Sequence, residues 1–209
     1  MSIANTENTI FVSDEDLMMK CRKGDMSAFE LLVRRYQNPL INYIHRSLND
    51  YHRAEDLSQE TFLRVFKSAS RYEPTASFKS WLYTIATNLC RNEVRNRSRR
   101  NTYYLEDLVE EGEDVYHTDI MRDTRYMPDV LLEKKEQQQI IRKAFAQLPE
   151  NQRVALTLVT YQDLRYEEVS EILGCSVGAV KALIHRARQK MKKLLIKAGI
   201  GEENINAKI

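Results

Sequence analysis

Apolar side chains along this chain recur at intervals of three and four, which commits it to helices and leaves no stretch that reads as a β-domain. Phe29, Leu32, Val33 and Tyr36 follow the i, i+3, i+4, i+7 rule. Leu17, Met18 and Cys21 form one face of a short first helix that begins near Ser13 and ends near Gly24. Pro39 marks a kink or restart before Leu40, Tyr43, Ile44 and Leu48. A third helix, about 54–67, is expected to bury Leu57, Phe62, Val65 and Phe66. SASRYEPTAS, residues 68–77, reads as a loop. In the long helix that follows, Phe78, Trp81, Leu82, Ile85 and Leu89 form an apolar stripe. Thr84, Asn88, Arg91 and Arg95 run beside it as a polar stripe, which Arg97, Arg99 and Arg100 extend. Helices resume at about 131 and pause at LPENQR, where Pro149 suits the first turn of the next helix. That helix carries Val154, Leu156, Leu158 and Val159.

Charge divides the 209 residues into three parts, although the net value is only +2. Residues 12–100 hold 16 Lys and Arg against 11 Asp and Glu. Residues 101–132 hold only Arg122 and Arg125 against nine acids, without sustained periodicity, and read as an acidic linker. Residues 133–209 return to 14 basic against nine acidic side chains. The expected architecture is all-α: one module over 12–98, a linker over 99–131, a second module over 132–198, and loose ends at 1–11 and 199–209. Cys21, Cys90 and Cys175 are scattered and lack a C-x-x-C pair, which points to reduced thiols in a cytoplasmic protein. His45, His52, His117 and His185 share no ligand spacing, so neither a metal nor any other cofactor is expected. No apolar run is long enough to span a bilayer. The sequence has no Gly-rich phosphate loop, nucleophile elbow or convergent acid pair, and so offers no catalytic apparatus.

The stretch SEILGCSVGAVKALIHRARQK, residues 170–190, narrows the choice. One helical pattern stops at Leu173; Gly174 is an αL stop and Ser176 a cap for the next helix. Val177, Val180, Ile184, Ala187 and Met191 fall on one stripe of that helix, and Lys181, His185, Arg188 and Lys192 on its neighbour. No acid occurs from Ser176 to Lys197. A short Gly-containing turn into a basic helix is the pattern of a DNA-binding helix-turn-helix; the alternative is an αα-hairpin with a solvated charged face. Gly178 would let a phosphate or base approach the backbone closely.

Five motifs in order sharpen this reading: KGDMSAFELLVRRY, EDLSQETFLRVF, FKSWLYTIATNLCRNEVR, LPENQRVALTL and YEEVSEILGCSVGAVKALIHRAR. Together, over 13–98 and 132–195, they resemble the extracytoplasmic-function (ECF) sigma factors, the small class of promoter-recognition subunits of bacterial RNA polymerase. The resemblance implies an alternative sigma factor that directs the core enzyme to specific promoters, assists their melting and is not itself an enzyme. Its implied partners are core RNA polymerase, promoter DNA as duplex and as melted strand, and an anti-sigma factor.

The same resemblance assigns roles to residues. Asp56, Gln59 and Glu60 map onto polar contacts with the polymerase clamp. Strand opening falls to the loop 68–77 and the next helix, with Tyr72, Asn88, Arg91 and Arg95 at the minus-ten element and Trp81 assigned to packing. At the minus-thirty-five element, Ser176, Gly178, Ala179, Lys181, Ala182, His185, Arg186 and Arg188 would face the major groove, and Arg153 of LPENQR the DNA backbone. The linker would thread polymerase channels, or serve only as an acidic tether. Several positions depart from the common family pattern. Arg165 stands where a capping Ser or Thr is usual, so either Asp163 caps the helix or the helix starts looser. Ser170 replaces Ala and Glu93 replaces Asp, while Leu183 stands where many relatives carry Arg, removing a DNA contact. Two other readings remain: an autonomous helix-turn-helix regulator, which leaves EDLSQETF unused, and a protein-interaction module on the same fold.

Overall fold

A computed structural model describes residues 12–104 and 128–200. Both proposed loose ends lie outside those residues except for 199 and 200, as does most of the acidic linker. Among the described residues every regular element is helical: α1 Asp14–Arg22, α2 Met26–Leu48, α3 Tyr51–Ser68, a 3-10 turn Ala69–Arg71, α4 Phe78–Tyr104, α5 Pro128–Ala146, α6 Glu150–Gln162, α7 Tyr166–Leu173 and α8 Val177–Lys197.

Side-chain caps set the starts of the early helices. Ser13 Oγ accepts from the Asp16 amide at 3.1 Å, Asp25 Oδ1 from Ser27 at 2.9 Å, and Asp50 Oδ1 from Arg53 at 2.9 Å. Asn49 ends α2 and Gly24 follows α1, both with positive φ. Pro39 does not restart the helix: α2 runs unbroken through it. Pro39 is exposed, so the lost backbone donor lies on the solvent side, while buried Leu40, Tyr43 and Ile44 hold the next turn in the core. Phe66 also departs from expectation, being 43% exposed. Leu57, Phe62 and Val65 already supply the inward face of α3, and Phe66 lies at its edge against Phe29, with ring centroids 5.2 Å apart.

The first module packs α1–α4 around Met18, Leu32, Leu40, Ile44, Val65, Phe78 and Leu82, all essentially without solvent contact. Tyr43 and Tyr83 meet edge to face at 5.1 Å in this core, and the Tyr43 hydroxyl is 2.6 Å from Thr87 Oγ1. Arg35 donates to Asp14 at 2.7 Å and Tyr36 also bonds Asp14, which fixes α1 to α2. The second module buries Val154, Leu158, Val169, Ile172, Val180, Ile184, Ala187 and Met191 from α6, α7 and α8. These agree with the apolar positions read from the sequence for α6 and α8, apart from Val159 and Val177, which are half-buried.

The two modules pack on one another, α6 against α2 and α7 against α4. The Tyr83 hydroxyl donates to Gln162, both residues being buried. Arg153 Nη2 donates to the Ser47 carbonyl at 2.7 Å, and Ser77 Oγ to Glu168 at 2.8 Å. The Arg46 guanidinium lies 4.1 Å over the Tyr161 ring.

Candidate nucleic-acid interface

The helix-turn-helix assembles as its sequence requires. Gly174 closes α7 at φ 66, where a side chain would be strained, and Ser176 Oγ accepts from the Ala179 amide at 3.2 Å to open α8. With Val180, Ile184, Ala187 and Met191 turned inward, Gly178, Lys181, His185, Arg186 and Arg188 are exposed and Ala179 and Ala182 half-buried beside them. A Cβ built at Gly178 would meet only Ser176 Oγ, at 3.9 Å, so internal packing does not require glycine there. Asp163 does not cap α7. It ends α6 at φ 49, while the Glu168 carboxylate accepts from the Arg165 amide at 2.9 Å and starts α7 from within. Burial raises the Glu168 pKa, but the Arg165 amide, Ser77 hydroxyl and Arg165 guanidinium outweigh it and hold the carboxyl below its usual range.

On α4, Asn88 and Arg95 are exposed and Arg91 half-buried. Trp81 is half-buried and lines two cavities. One, of about 440 Å³, is formed with Ser68, Arg71, Tyr72 and the loop residues Glu73, Thr75 and Ala76. The other, of about 310 Å³, is formed with Arg64, Lys67, Ser68, Ile85 and Asn88. Tyr72 itself is buried at 5% exposure, its ring 5.2 Å from that of Trp81 and its hydroxyl without a partner. Burial pushes that hydroxyl up to about 12. The ring available at this surface therefore belongs to Trp81, not Tyr72. Trp81, assigned to packing from its place on the apolar stripe, does pack against the core, its ring 5.2 Å from Tyr72 and 6.2 Å from Phe78, while its uncovered part lines both cavities. Its place at the stripe edge, one turn from Thr84 and two from Asn88, accounts for that partial exposure. Arg71 adds positive charge at the first cavity, and Arg64 and Lys67 at the second.

Arg97 does not extend the charged stripe freely. Its Nε lies 3.0 Å from Glu93 and its Nη2 2.6 Å from Asp50, while Arg53 Nη2 lies 2.7 Å from the other Glu93 oxygen. The Arg53 guanidinium first, with Arg97, holds the buried Glu93 carboxyl below its ordinary value. This four-residue network joins the start of α3 to the later turns of α4.

Asp56 and Gln59 are exposed and Glu60 half-exposed on α3, sharing one face as expected. Both acids are paired within the helix: Asp56 with Arg53 at 3.4 Å and Glu60 with Arg64 at 2.7 Å. Leu63, 45% exposed, continues the same face one turn on and gives it an apolar side chain. Arg153 is drawn away from the basic surface altogether. It sits between the modules, donating to the Ser47 and Ala146 carbonyls, and burial lowers its pKa against the attraction of Glu150. In this packed form Arg153 is not presented to DNA.

The sigma-70 region 2 model matches residues 32–100, and the sigma-70 region 4 model residues 138–191. The RNA polymerase sigma-H factor of Pseudomonas aeruginosa is 31% identical over 182 residues, 87% of this chain and 93% of that protein. The ECF sigma factor SigW of Bacillus subtilis is 33% identical over 83% of this chain and 92% of its own length. The chain is an ECF sigma factor. Directing RNA polymerase to specific promoters and initiating transcription there is the work of that family and of this member. Two solved sigma factors share the fold at TM-score 0.63: Bartonella quintana RpoE in complex with the anti-sigma factor NepR, 24% identical over 80% of this chain, and CnrH in complex with the cytosolic domain of CnrY, 22% identical over 88%. Those two chains are covered to 96% and 97%. Among the described residues of this sigma factor no helix is long and apolar enough to cross a membrane.

Proposed function

We propose that this sigma factor works in the cytoplasm as a non-catalytic subunit, using three separate surfaces. Asp56, Gln59, Glu60 and Leu63 on α3 grip the polymerase clamp. Asn88, Arg91, Arg95 and Trp81, with the cavities beside them, hold bases and backbone of the melted minus-ten strand; an unstacked base needs an apolar or aromatic partner and positive charge along its backbone. The exposed face of α8 enters the major groove of the minus-thirty-five element, where Lys181, Arg186 and Arg188 read guanine edges or grip phosphate.

One observation carries the reading: α8 presents its cations on a face without a single acidic side chain, while the basic residues in the rear half of α4 are partly tied up by Glu93 and Asp50. The packed form must open for this work. The two promoter elements lie about 25 base pairs apart, roughly 85 Å of duplex, whereas Ser77 and Glu168 on the two modules are 2.8 Å apart. An anti-sigma partner that favours the packed form would hold the factor idle.

The test is binding of the full chain to sigma-free core polymerase, with Glu60→Lys alongside. Nanomolar binding weakened at least tenfold by the substitution is the expected result. Equal binding by both proteins moves the clamp contact off α3, and no binding by either leaves an autonomous helix-turn-helix regulator.

A further inference from the structure

Between the modules lies a cleft of about 250 Å³ walled by α2, α5 and α6. Its cationic lining comes from Arg46, Arg142 and Arg153, with the His45 imidazole beside them, its rings from Phe145 and Tyr161, and none of the described lining residues is acidic. Arg153 is the focus. Its guanidinium donates to two main-chain carbonyls, and its Nε is buried with no hydrogen-bond partner. The attraction of Glu150 does not cancel the burial cost, since the guanidinium is hydrogen-bonded only to neutral carbonyls; a carboxylate or phosphate would offset that cost through charge-assisted, bidentate bonds. The Arg46 guanidinium carbon lies 4.1 Å over the Tyr161 ring, which holds this cation at the cleft wall. Phe145 meets Tyr161 at 6.4 Å and makes the apolar wall.

We propose that this cleft binds a small anionic metabolite bearing phosphate or carboxylate groups and that the bound anion holds the two modules together. The volume lies at the lower end of small-molecule sites, which admits an anion of pyrophosphate or citrate size and excludes a folded peptide segment. The walls belong to both modules, so a ligand that touches them all binds the packed form and not the open one. By linkage it stabilises packing and competes with engagement of core polymerase. Only this last consequence rests on the sigma reading; binding to the free chain does not.

Calorimetric titration of the full-length chain with pyrophosphate and with citrate, at fixed ionic strength, tests the site. Saturable one-to-one binding with Kd below about 1 mM is expected for at least one probe, and which one binds separates a phosphate from a carboxylate ligand. Arg142→Gln and Arg46→Gln should each weaken it at least fivefold, while Arg188→Ala on the recognition helix leaves it unchanged. Arg153→Gln should weaken it most, and the other two variants decide the matter if Arg153→Gln does not fold. Absence of saturable binding, or loss in Arg188→Ala alone, overturns the site. Core-polymerase affinity is then measured with the anion at ten times its Kd against sodium chloride of equal ionic strength. About a tenfold loss is expected; an unchanged affinity overturns the claim that the anion holds the modules closed.

Discussion

Arginine is used in opposite ways at the two ends of this molecule. In the rear half of α4 and the start of α3, Arg97 and Arg53 are held by the buried Glu93 and by Asp50. In α8, Arg186 and Arg188 are exposed on a helix that carries no acid. The side chains are chemically the same, and their charges along the sequence look alike. What separates the tied arginines from the exposed ones is a carboxylate, brought to them largely by tertiary folding. In the first module Arg53 meets Glu93 across 40 residues and Arg97 meets Asp50 across 47, partners that charge counting cannot detect, although Glu93 itself lies one turn from Arg97.

The contrast can be broken at its strongest point first. Glu93→Ala leaves Arg53 and Arg97 side by side without the buried carboxylate that separates them. It should lower the unfolding free energy by about 2–3 kcal/mol, the low end for a broken buried pair because both arginines are partly exposed; urea denaturation reads it. Arg188→Ala should do the reverse. It leaves stability within about 0.5 kcal/mol and weakens promoter binding by the polymerase complex by about 1–2 kcal/mol, five- to thirty-fold, with Lys181→Ala acting in the same direction. A stability loss in Arg188→Ala, or a promoter defect in Glu93→Ala refolded to full helicity, would erase the distinction.

Smaller effects sharpen it. The carboxyls of Glu93 and Asp50 both lie below their ordinary values, Glu93 chiefly through the Arg53 guanidinium, and Asp50 through the Arg53 amide and Arg97 against the opposing effect of burial. Groups lowered in the folded state contribute stability that is complete above their unfolded values of 4.5 and 3.8 and disappears as pH falls through the folded ones. Thermal melts should therefore fall in midpoint from about pH 4.5 downward, and less steeply in Glu93→Gln. Tyr83→Phe, the mildest change, removes the buried bond to Gln162 at a cost of about 1 kcal/mol. It should raise the radius of gyration of the free chain in solution scattering; an unchanged radius would mean that the contact does not help to hold the modules together.

The helices were legible because burial in a helical module repeats at three and four, and the stripes of α1, α4 and α8 state it openly. Ser176 and Gly174 marked the turn between α7 and α8 because capping chemistry is local. The misreadings share one cause, a tertiary partner that outranked a local signal. Pro39 did not break α2 because Leu40, Tyr43 and Ile44 are held by packing. Asp163 did not cap α7 because Glu168 was better placed. Helix α4 runs past residue 98 to Tyr104 and α5 begins at Pro128, both inside the stretch whose composition read as linker. At the candidate sites, the exposed basic face of α8 and the shared face of Asp56, Gln59 and Glu60 could be read from spacing. The burial of Tyr72, the partial exposure of Trp81 and the withdrawal of Arg153 could not, since each depends on what stands opposite.

Ser77 gives the packing of the modules a further meaning. Its hydroxyl accepts from the Ser80 amide at 3.1 Å, securing the first turn of α4, and donates to Glu168, which itself secures the first turn of α7. One atom thus belongs to the opening of a helix in each module. Parting the modules removes this shared fastening, and the segment leading into α4, beside the Trp81 cavities, loses an anchor as α7 is released. In the packed form the first turns of α4 and α7 are thus held through one hydroxyl, so the setting of each depends on the other module.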